Sequence, residues 1–303
     1  MMFLVYFIQN DIIIRRIAMS TRTDLAVEVI KSADGRLPSG VQSTERTAGS
    51  FKVTEINVGE EGAAAIGKPA GRYVTVETPP LSNAVTGQEE QAEALAQEIA
   101  ALADVKGGTA LIVGLGNNDI TPDALGPKVI GRILATRHLS DELPKGSPLA
   151  ELKPVAALAT GVLGQTGIES AEIVKAVCQR IKPSAVIVID ALACSDVSRL
   201  GRTIQMSDSG ISPGSGVQNR RRELSEATTG VPVIAIGVPT VIDMHTVAEG
   251  LTGRPADSRL PNMMVTPRDI DNLITGAARL ISLAINKAFQ PALTLEEILS
   301  LSA

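Results

Sequence analysis

The sequence predicts an α/β fold in which a doubly wound, mostly parallel sheet is flanked by helices. Strand and helix patterns alternate from residue 109 to the end of the chain, as they do in open α/β sheets. Residues 184–189 and 231–238 are almost unbroken apolar runs, typical of parallel strands buried on both faces. Phe51–Val58 and Gly71–Glu77 alternate between apolar and polar residues, which predicts a small antiparallel subdomain or edge at residues 51–77.

The other elements follow from periodicity and capping signals. Residues 33–50 are polar with scattered Gly and Pro, and they predict a loop. The clearest helix spans residues 266–289, where Thr266 is the expected N-cap and Asp269 completes a capping box. Further strands are predicted at residues 110–113, 154–159 and 202–206, and further helices at 21–32, 88–102, 126–137 and 169–181.

The composition favours a packed globular core and argues against nucleic-acid binding. Of 303 residues, 44% are apolar and 20% charged, and residues 19–303 are predicted to form a single domain. A net charge of -5 and an aromatic content of 2% are unfavourable for binding phosphates or stacking bases. Cys178 and Cys194 supply neither a disulfide framework nor a zinc ligand set, which favours a cytoplasmic location.

Residues 1–18 differ from the rest of the chain. Their apolar run breaks at Gln9, Asn10 and Asp11 and is too short to span a bilayer. The basic pair Arg15 and Arg16 comes too late for a signal peptide. We interpret residues 1–18 as a removable pro-segment or as an upstream extension that is not translated, and we expect no membrane interaction.

A catalytic site is predicted from residues 109–130. A buried strand there ends in Gly114 and Gly116, and a polar loop then carries Asp123 to the start of a helix. Asp190 follows the apolar run at residues 184–189. Because neighbouring parallel strands lie about 4.8 Å apart, their ends can bring two carboxyl groups together. Such a pair shares a proton, so one carboxylate can activate water while the other polarises a carbonyl.

Other interpretations remain open at this point. Asp123 could be a helix first-turn acid and Asp190 a strand-end acid with only structural roles. The motif GLGNND is similar to a dinucleotide-binding fingerprint, but Asp119 stands where the third glycine is needed, so the signal for a dinucleotide is weak. Cys194 could be a nucleophile or a small buried residue. A divalent metal held by Asp123, Asp190 and His245 is chemically reasonable.

Seven motifs occur in order over about residues 21–290: TRTDLAVE, GLGNNDITPDALGPKVI, ATGVLGQTGIESAEIVKAV, VIVIDALA, TIQMSDSGISPGSGVQNRRRELS, GVPVIAIGVPTVID and MMVTPRDID. Together they resemble the germination protease family of spore-forming Firmicutes. Asn118 and Asp119 depart from the aromatic and polar pair expected in the second motif, and residues 250–260 form a shorter connection than the family is expected to have.

The resemblance implies an atypical aspartic endopeptidase, related in fold to the hydrogenase maturation proteases, with Asp123 and Asp190 as its catalytic pair. It implies degradation of small acid-soluble spore proteins in the spore core during germination, by a homotetramer made as a zymogen. No metal or cofactor is expected. The alternatives are a metal-dependent protease of the hydrogenase-maturation class and a non-catalytic peptide-binding relative. The residues expected to bind substrate are Asn117, Gly164, Thr166, Gly167, Ser212, Gly214, Ser215 and Gly216.

Overall fold

The structure is a computed structural model of the chain. It describes residues 23–31, 37–83, 88–103, 107–139, 149, 152–214, 221–254, 256, 261 and 263–302. The interpretation of residues 1–18 lies outside the described residues. Within these ranges, no helix is long and apolar enough to cross a membrane.

The strands of the described ranges form one sheet in the order β1-β2-β3-β7-β8-β6-β4-β5, with β9 paired to β8. The strands are β1 (Val41–Ala48), β2 (Phe51–Val58), β3 (Gly71–Glu77), β4 (Ala110–Leu115), β5 (Val155–Gly161), β6 (Ala185–Cys194), β7 (Thr203–Ser207), β8 (Val233–Asp243) and β9 (Met264–Val265). The helices are α1 (Ala26–Lys31), α2 (Glu60–Ile66), α3 (Glu89–Ala103), α4 (Leu125–Ile130), α5 (Leu163–Thr166), α6 (Ser170–Ile181), α7 (Glu226–Thr229), α8 (Met244–Thr252), α9 (Ile270–Phe289) and α10 (Leu295–Leu301).

The predicted α/β class is confirmed by the pairing of these strands. The block β8-β6-β4-β5 is parallel throughout, and its strands are separated along the chain by helices. β1, β2, β3 and β7 extend the same sheet with antiparallel pairs, so the predicted antiparallel edge is present. The sheet therefore has a parallel half, where crossover helices cover the faces, and an antiparallel half.

The parallel half is buried on both faces, as the apolar runs predict. In β6, Ile187 and Ile189 join the cluster that includes α3 and α9, whereas Val186 and Val188 join the cluster that includes α6. All four side chains are fully buried. Since each such side chain contributes about 2 kcal/mol when it leaves water, β6 anchors the helices on both sides of the sheet.

The loop predicted at residues 33–50 is wrong in its second half, because β1 occupies Val41–Ala48. Six of its eight residues are exposed, so an apolar alternation is missing from its sequence. Its backbone pairs with β2 along its whole length, from Val41 opposite Val58 to Ala48 opposite Phe51. An edge strand of this kind is held by backbone hydrogen bonds, and polar side chains protect its open edge.

The capping box predicted for the longest helix is also wrong. α9 begins at Ile270, and its N-cap residue Asp269 makes no side-chain capping bond. The Thr266 hydroxyl instead donates to the carbonyl of Thr240 at 2.8 Å. Thr266 follows β9, which pairs with β8, so a tertiary contact to β8 takes the hydroxyl that the local pattern assigns to the helix.

The helix predicted at residues 126–137 ends early, because α4 stops at Ile130. The chain beyond it is held by the buried carboxamide of Asn286 in α9. Asn286 Nδ2 donates to the Arg132 carbonyl at 2.9 Å, and the Leu134 N–H donates to Asn286 Oδ1 at 3.0 Å. These two bonds satisfy the Arg132 carbonyl and the Leu134 N–H outside a helix.

We expect Asn286→Ala to lower the free energy of unfolding by about 1–3 kcal/mol, because it leaves two backbone groups without partners. Chemical denaturation monitored by circular dichroism measures this. Asn57→Ala, at an exposed position of β2, is the matched control and should change stability by less than about 0.5 kcal/mol. Equal effects of the two substitutions would contradict the role assigned to Asn286.

Candidate active site

Asp123 lies directly beyond the carboxyl end of β4. It closes the 3₁₀ turn Thr121–Asp123, which leads into α4. Its N–H donates to the Ile120 carbonyl at 2.8 Å, and the Asn117 N–H donates to Asp123 Oδ2 at 2.8 Å. The loop thus turns the carboxylate back toward the end of β4 and supplies it with a backbone donor.

This turn depends on Gly116, which has φ of +103°. A Cβ atom there would lie 2.0 Å from the Asp123 carbonyl oxygen and 2.9 Å from Asp123 Oδ1. A side chain at position 116 would therefore displace the aspartate, besides straining the backbone. The glycine signal that marks the loop in the sequence reflects this close approach.

The sequence predicts that Asp190 lies at the end of a strand. In the structure it lies inside β6. β6 continues to Cys194 because β8 pairs with it as far as Ile242. The pairing with β4, however, stops at Ile189, which is opposite Gly114. Asp190 is thus the first residue of β6 after its pairing with β4 ends. The loop that carries Asp123 begins at the same end of β4.

The two aspartates are electrostatically coupled. Burial raises the pKa of Asp190 well above its usual value, and the negative charges of Asp123 and then Asp24 raise it further. The Ala191 N–H, which donates to Asp190 Oδ1 at 2.9 Å, opposes this rise in pKa. Burial also raises the pKa of Asp123, against the hydrogen bond from Asn117. Asp190 is therefore the group that favours the protonated state.

Asp24 is a member of this site that sequence reasoning missed. Its N–H donates to the Ala193 carbonyl at 2.9 Å, and the Ala193 N–H donates to Asp24 Oδ2 at 2.8 Å. Lys68 Nζ donates to the Asp24 carbonyl at 3.0 Å. The contact with Ala193 joins positions 169 residues apart, so no local pattern signals it. Only the TRTDLAVE motif draws attention to the segment.

The same segment is tied to β6 by Glu28 of α1, a buried acid. Glu28 Oε2 accepts from the N–H and the hydroxyl of Ser195, both at 2.7 Å, and Glu28 Oε1 accepts from the Asp196 N–H at 3.1 Å. A carboxylate with three donors is well compensated for its burial. Residues 23–31 are therefore fixed beside the strand that carries Asp190.

The predicted substrate-binding residues divide into two groups. Asn117 contacts the loop after β5, since its Oδ1 accepts from Gln165 Nε2 at 2.7 Å, and Gly164, Thr166 and Gly167 flank Gln165. Ser212 and Gly214 follow β7, and within the described ranges no hydrogen bond joins either residue to Asp123 or Asp190. Ser215 and Gly216 lie outside the described residues. Gln165 itself is not among the residues that the sequence singles out.

The alternative chemistries receive less support from the site. Burial raises the pKa of the Cys194 thiol far above its usual range, so the thiolate needed of a nucleophile is disfavoured. His245 lies in the first turn of α8. In the part of the chain that the structure describes, no group of three His, Cys, Asp or Glu side chains is arranged to hold a metal ion. Asp123, Asp190 and His245 are therefore not arranged as the metal site that the sequence left open.

The family model and the related proteins that match this chain carry the same description. Residues 21–252 match the peptidase family described as germination protease. The germination protease of Clostridium tetani is 44% identical over 92% of this chain and 98% of its own, and that of Caldanaerobacter subterraneus is 42% identical over 93% and 98%. A hydrogenase maturation protease structure from Thermococcus kodakarensis is 19% identical, covers 60% of this chain and 96% of its own, and gives a TM-score of 0.34.

The fold and the site together define an α/β protein with an acidic centre at the carboxyl edge of its parallel strands. The matches extend over this centre, since both Asp123 and Asp190 fall within residues 21–252. The chain belongs to the germination protease family of peptidases.

The raised pKa of Asp190 predicts a pH-dependent effect on stability. Because its folded-state pKa exceeds its unfolded value of about 3.9, folding takes up a proton between the two, and stability falls as pH rises through that window. Asp190→Asn removes the buried charge. We expect the variant to unfold less readily than the wild type at about pH 8, with the pH-dependent advantage vanishing near pH 4.

Denaturant unfolding of both proteins across this pH range measures the difference. Asp271→Asn, at an exposed position in α9, is the matched control and should show no gain that grows with pH. A constant difference between wild type and Asp190→Asn at all pH values would show that Asp190 titrates normally.

Proposed function

We propose that this protein is an endopeptidase of spore germination in which Asp123 and Asp190 activate water. The observation that carries the proposal is the placement of both carboxyl groups where the pairing of β4 with β6 ends, with Asp123 in the turn after β4 and Asp190 buried in β6. The charge of Asp123 raises the pKa of Asp190, which supports it. A pair in which one group favours the proton and the other keeps a backbone donor is suited to acid–base hydrolysis of an amide.

In this mechanism Asp123 is the base and Asp190 the acid. Water attacks the scissile carbonyl carbon and gives its proton to Asp123, while Asp190 gives its proton to the carbonyl oxygen. When the tetrahedral intermediate collapses, the C–N bond breaks and the proton on Asp123 passes to the leaving amine. Asp190 recovers a proton from the hydroxyl that becomes the new carbonyl, so the pair returns to its starting state.

The proposed substrates are the small acid-soluble spore proteins. Membership of the germination protease family supports this assignment. The glycine-rich segment at residues 161–167, which includes α5, lies beside Asn117, and we propose that its glycines leave room for an extended peptide. We further propose that the protein is made as a zymogen and acts as a homotetramer in the spore core, on the same family grounds.

We expect Asp123→Asn and Asp190→Asn each to reduce cleavage at least about 1,000-fold, because each removes one half of the proton relay. The assay incubates each variant with a small acid-soluble spore protein and follows defined fragments by mass spectrometry. Circular dichroism checks that each variant is folded. Asp271→Asn is the matched control and should cleave as the wild type does.

Turnover close to that of the wild type by either folded active-site variant would rule out the aspartate pair. Addition of a strong chelator to the wild type should leave the rate unchanged. Loss of activity on chelation, restored by a divalent metal, would favour the metal-dependent alternative instead.

A further inference from the structure

We propose that Gln165 is a positioning residue that fixes the Asp123 loop by bonding its carboxamide across to Asn117 and Asp119. The inference rests on the proposed function, which it deepens by naming a residue from the helix after β5 that holds the catalytic loop in place. Gln165 lies in α5, the short helix that follows β5, whereas Asp123 follows β4.

The chemistry of its neighbours fixes the orientation of the Gln165 side chain. Nε2 lies 2.7 Å from Asn117 Oδ1 and 3.3 Å from Asp119 Oδ2, and a carboxylate oxygen requires a donor from a neutral amide. The other end of the carboxamide lies toward Gly161, where a Cβ atom would be 3.5 Å from Gln165 Oε1. Gln165 therefore presents both of its N–H groups to the loop after β4.

Asn117 connects this bridge to the aspartate. Its Oδ1 accepts both from Gln165 and from the Asp119 N–H at 2.9 Å, while its own N–H donates to Asp123 Oδ2 at 2.8 Å. Its carbonyl accepts from the Ile120 N–H at 3.2 Å. Since one residue makes all these bonds, holding the Asn117 side chain also holds the N–H that Asp123 uses.

The bridge therefore acts on the protonation state that catalysis requires. The Asn117 N–H opposes the rise that burial imposes on the pKa of Asp123, so it helps to keep the proposed base ionised. The acids of this region are Asp119, in the same loop as Asp123, and Asp190 on β6, on which the charges of Asp123 and Asp24 both act. Since these neighbours are acidic, a neutral donor is the group best able to hold the loop without a counter-charge.

Gln165→Ala should lower kcat for cleavage of a small acid-soluble spore protein about three- to tenfold, with KM within about twofold. The reason is that Asp123 loses its ordered donor while the rest of the cleft is intact. Gln165→Glu should reduce kcat further, because a carboxylate would face the acceptor oxygens of Asn117 and Asp119. Gln179→Ala, at an exposed position in α6, is the matched control and should leave both constants unchanged.

Hydrogen exchange measured by mass spectrometry gives a readout that does not depend on activity. The peptide containing Asn117 should exchange about three- to tenfold faster in Gln165→Ala than in the wild type or in Gln179→Ala. Unchanged exchange would overturn the inference, and so would faster exchange with an unchanged kcat. If the wild type cleaved no peptide, the proposed function would fail, while the exchange experiment would still decide whether Gln165 fixes the loop.

Discussion

The candidate active site depends on the burial of one carboxyl group, that of Asp190, within the central strand of the sheet. β6 passes the last residue that pairs with β4 and remains bonded to β8, so Asp190 is held by a ladder and shielded from water at once. An acid in that position favours its neutral form, and a second acid nearby strengthens the preference. In the proposed mechanism, the remaining features of the site bring that second acid close, and the Asn117 N–H opposes the rise that burial causes in its pKa.

The loop after β4 meets this requirement through backbone contacts. Gly116 allows the Asp123 carbonyl to approach, and Asn117 supplies the N–H that compensates the Asp123 carboxylate. On the other side of Asp190, the segment that carries Asp24 and Glu28 bonds to residues 193–196 of the chain. Three stretches that are distant in sequence thus converge on the end of the parallel strands, where open α/β sheets place their active sites.

Prediction from sequence succeeds where the burial of an element requires a periodic pattern of apolar residues. The runs of Ile and Val in β6 and β8 predict a strand buried on both faces, and the alternation in β2 and β3 predicts an antiparallel pair; both are present. It fails for β1, most of whose residues are exposed, and for Thr266, whose hydroxyl donates to the Thr240 carbonyl of β8. In each case the deciding contact is made by the backbone or by a residue remote in sequence.

The sequence by itself determined the fold class and the two aspartates to consider, because apolar periodicity and glycine-bounded loops are local properties. The resemblance of its long motifs indicated the family. Only the tertiary structure decided that Asp190 lies inside β6, that Asp24 adds a third charge, and that Gln165 bridges to Asn117. Those facts depend on strand register and on contacts between distant segments. The pKa of a buried group depends on the charges and donors that the fold places beside it, and no local sequence pattern shows them.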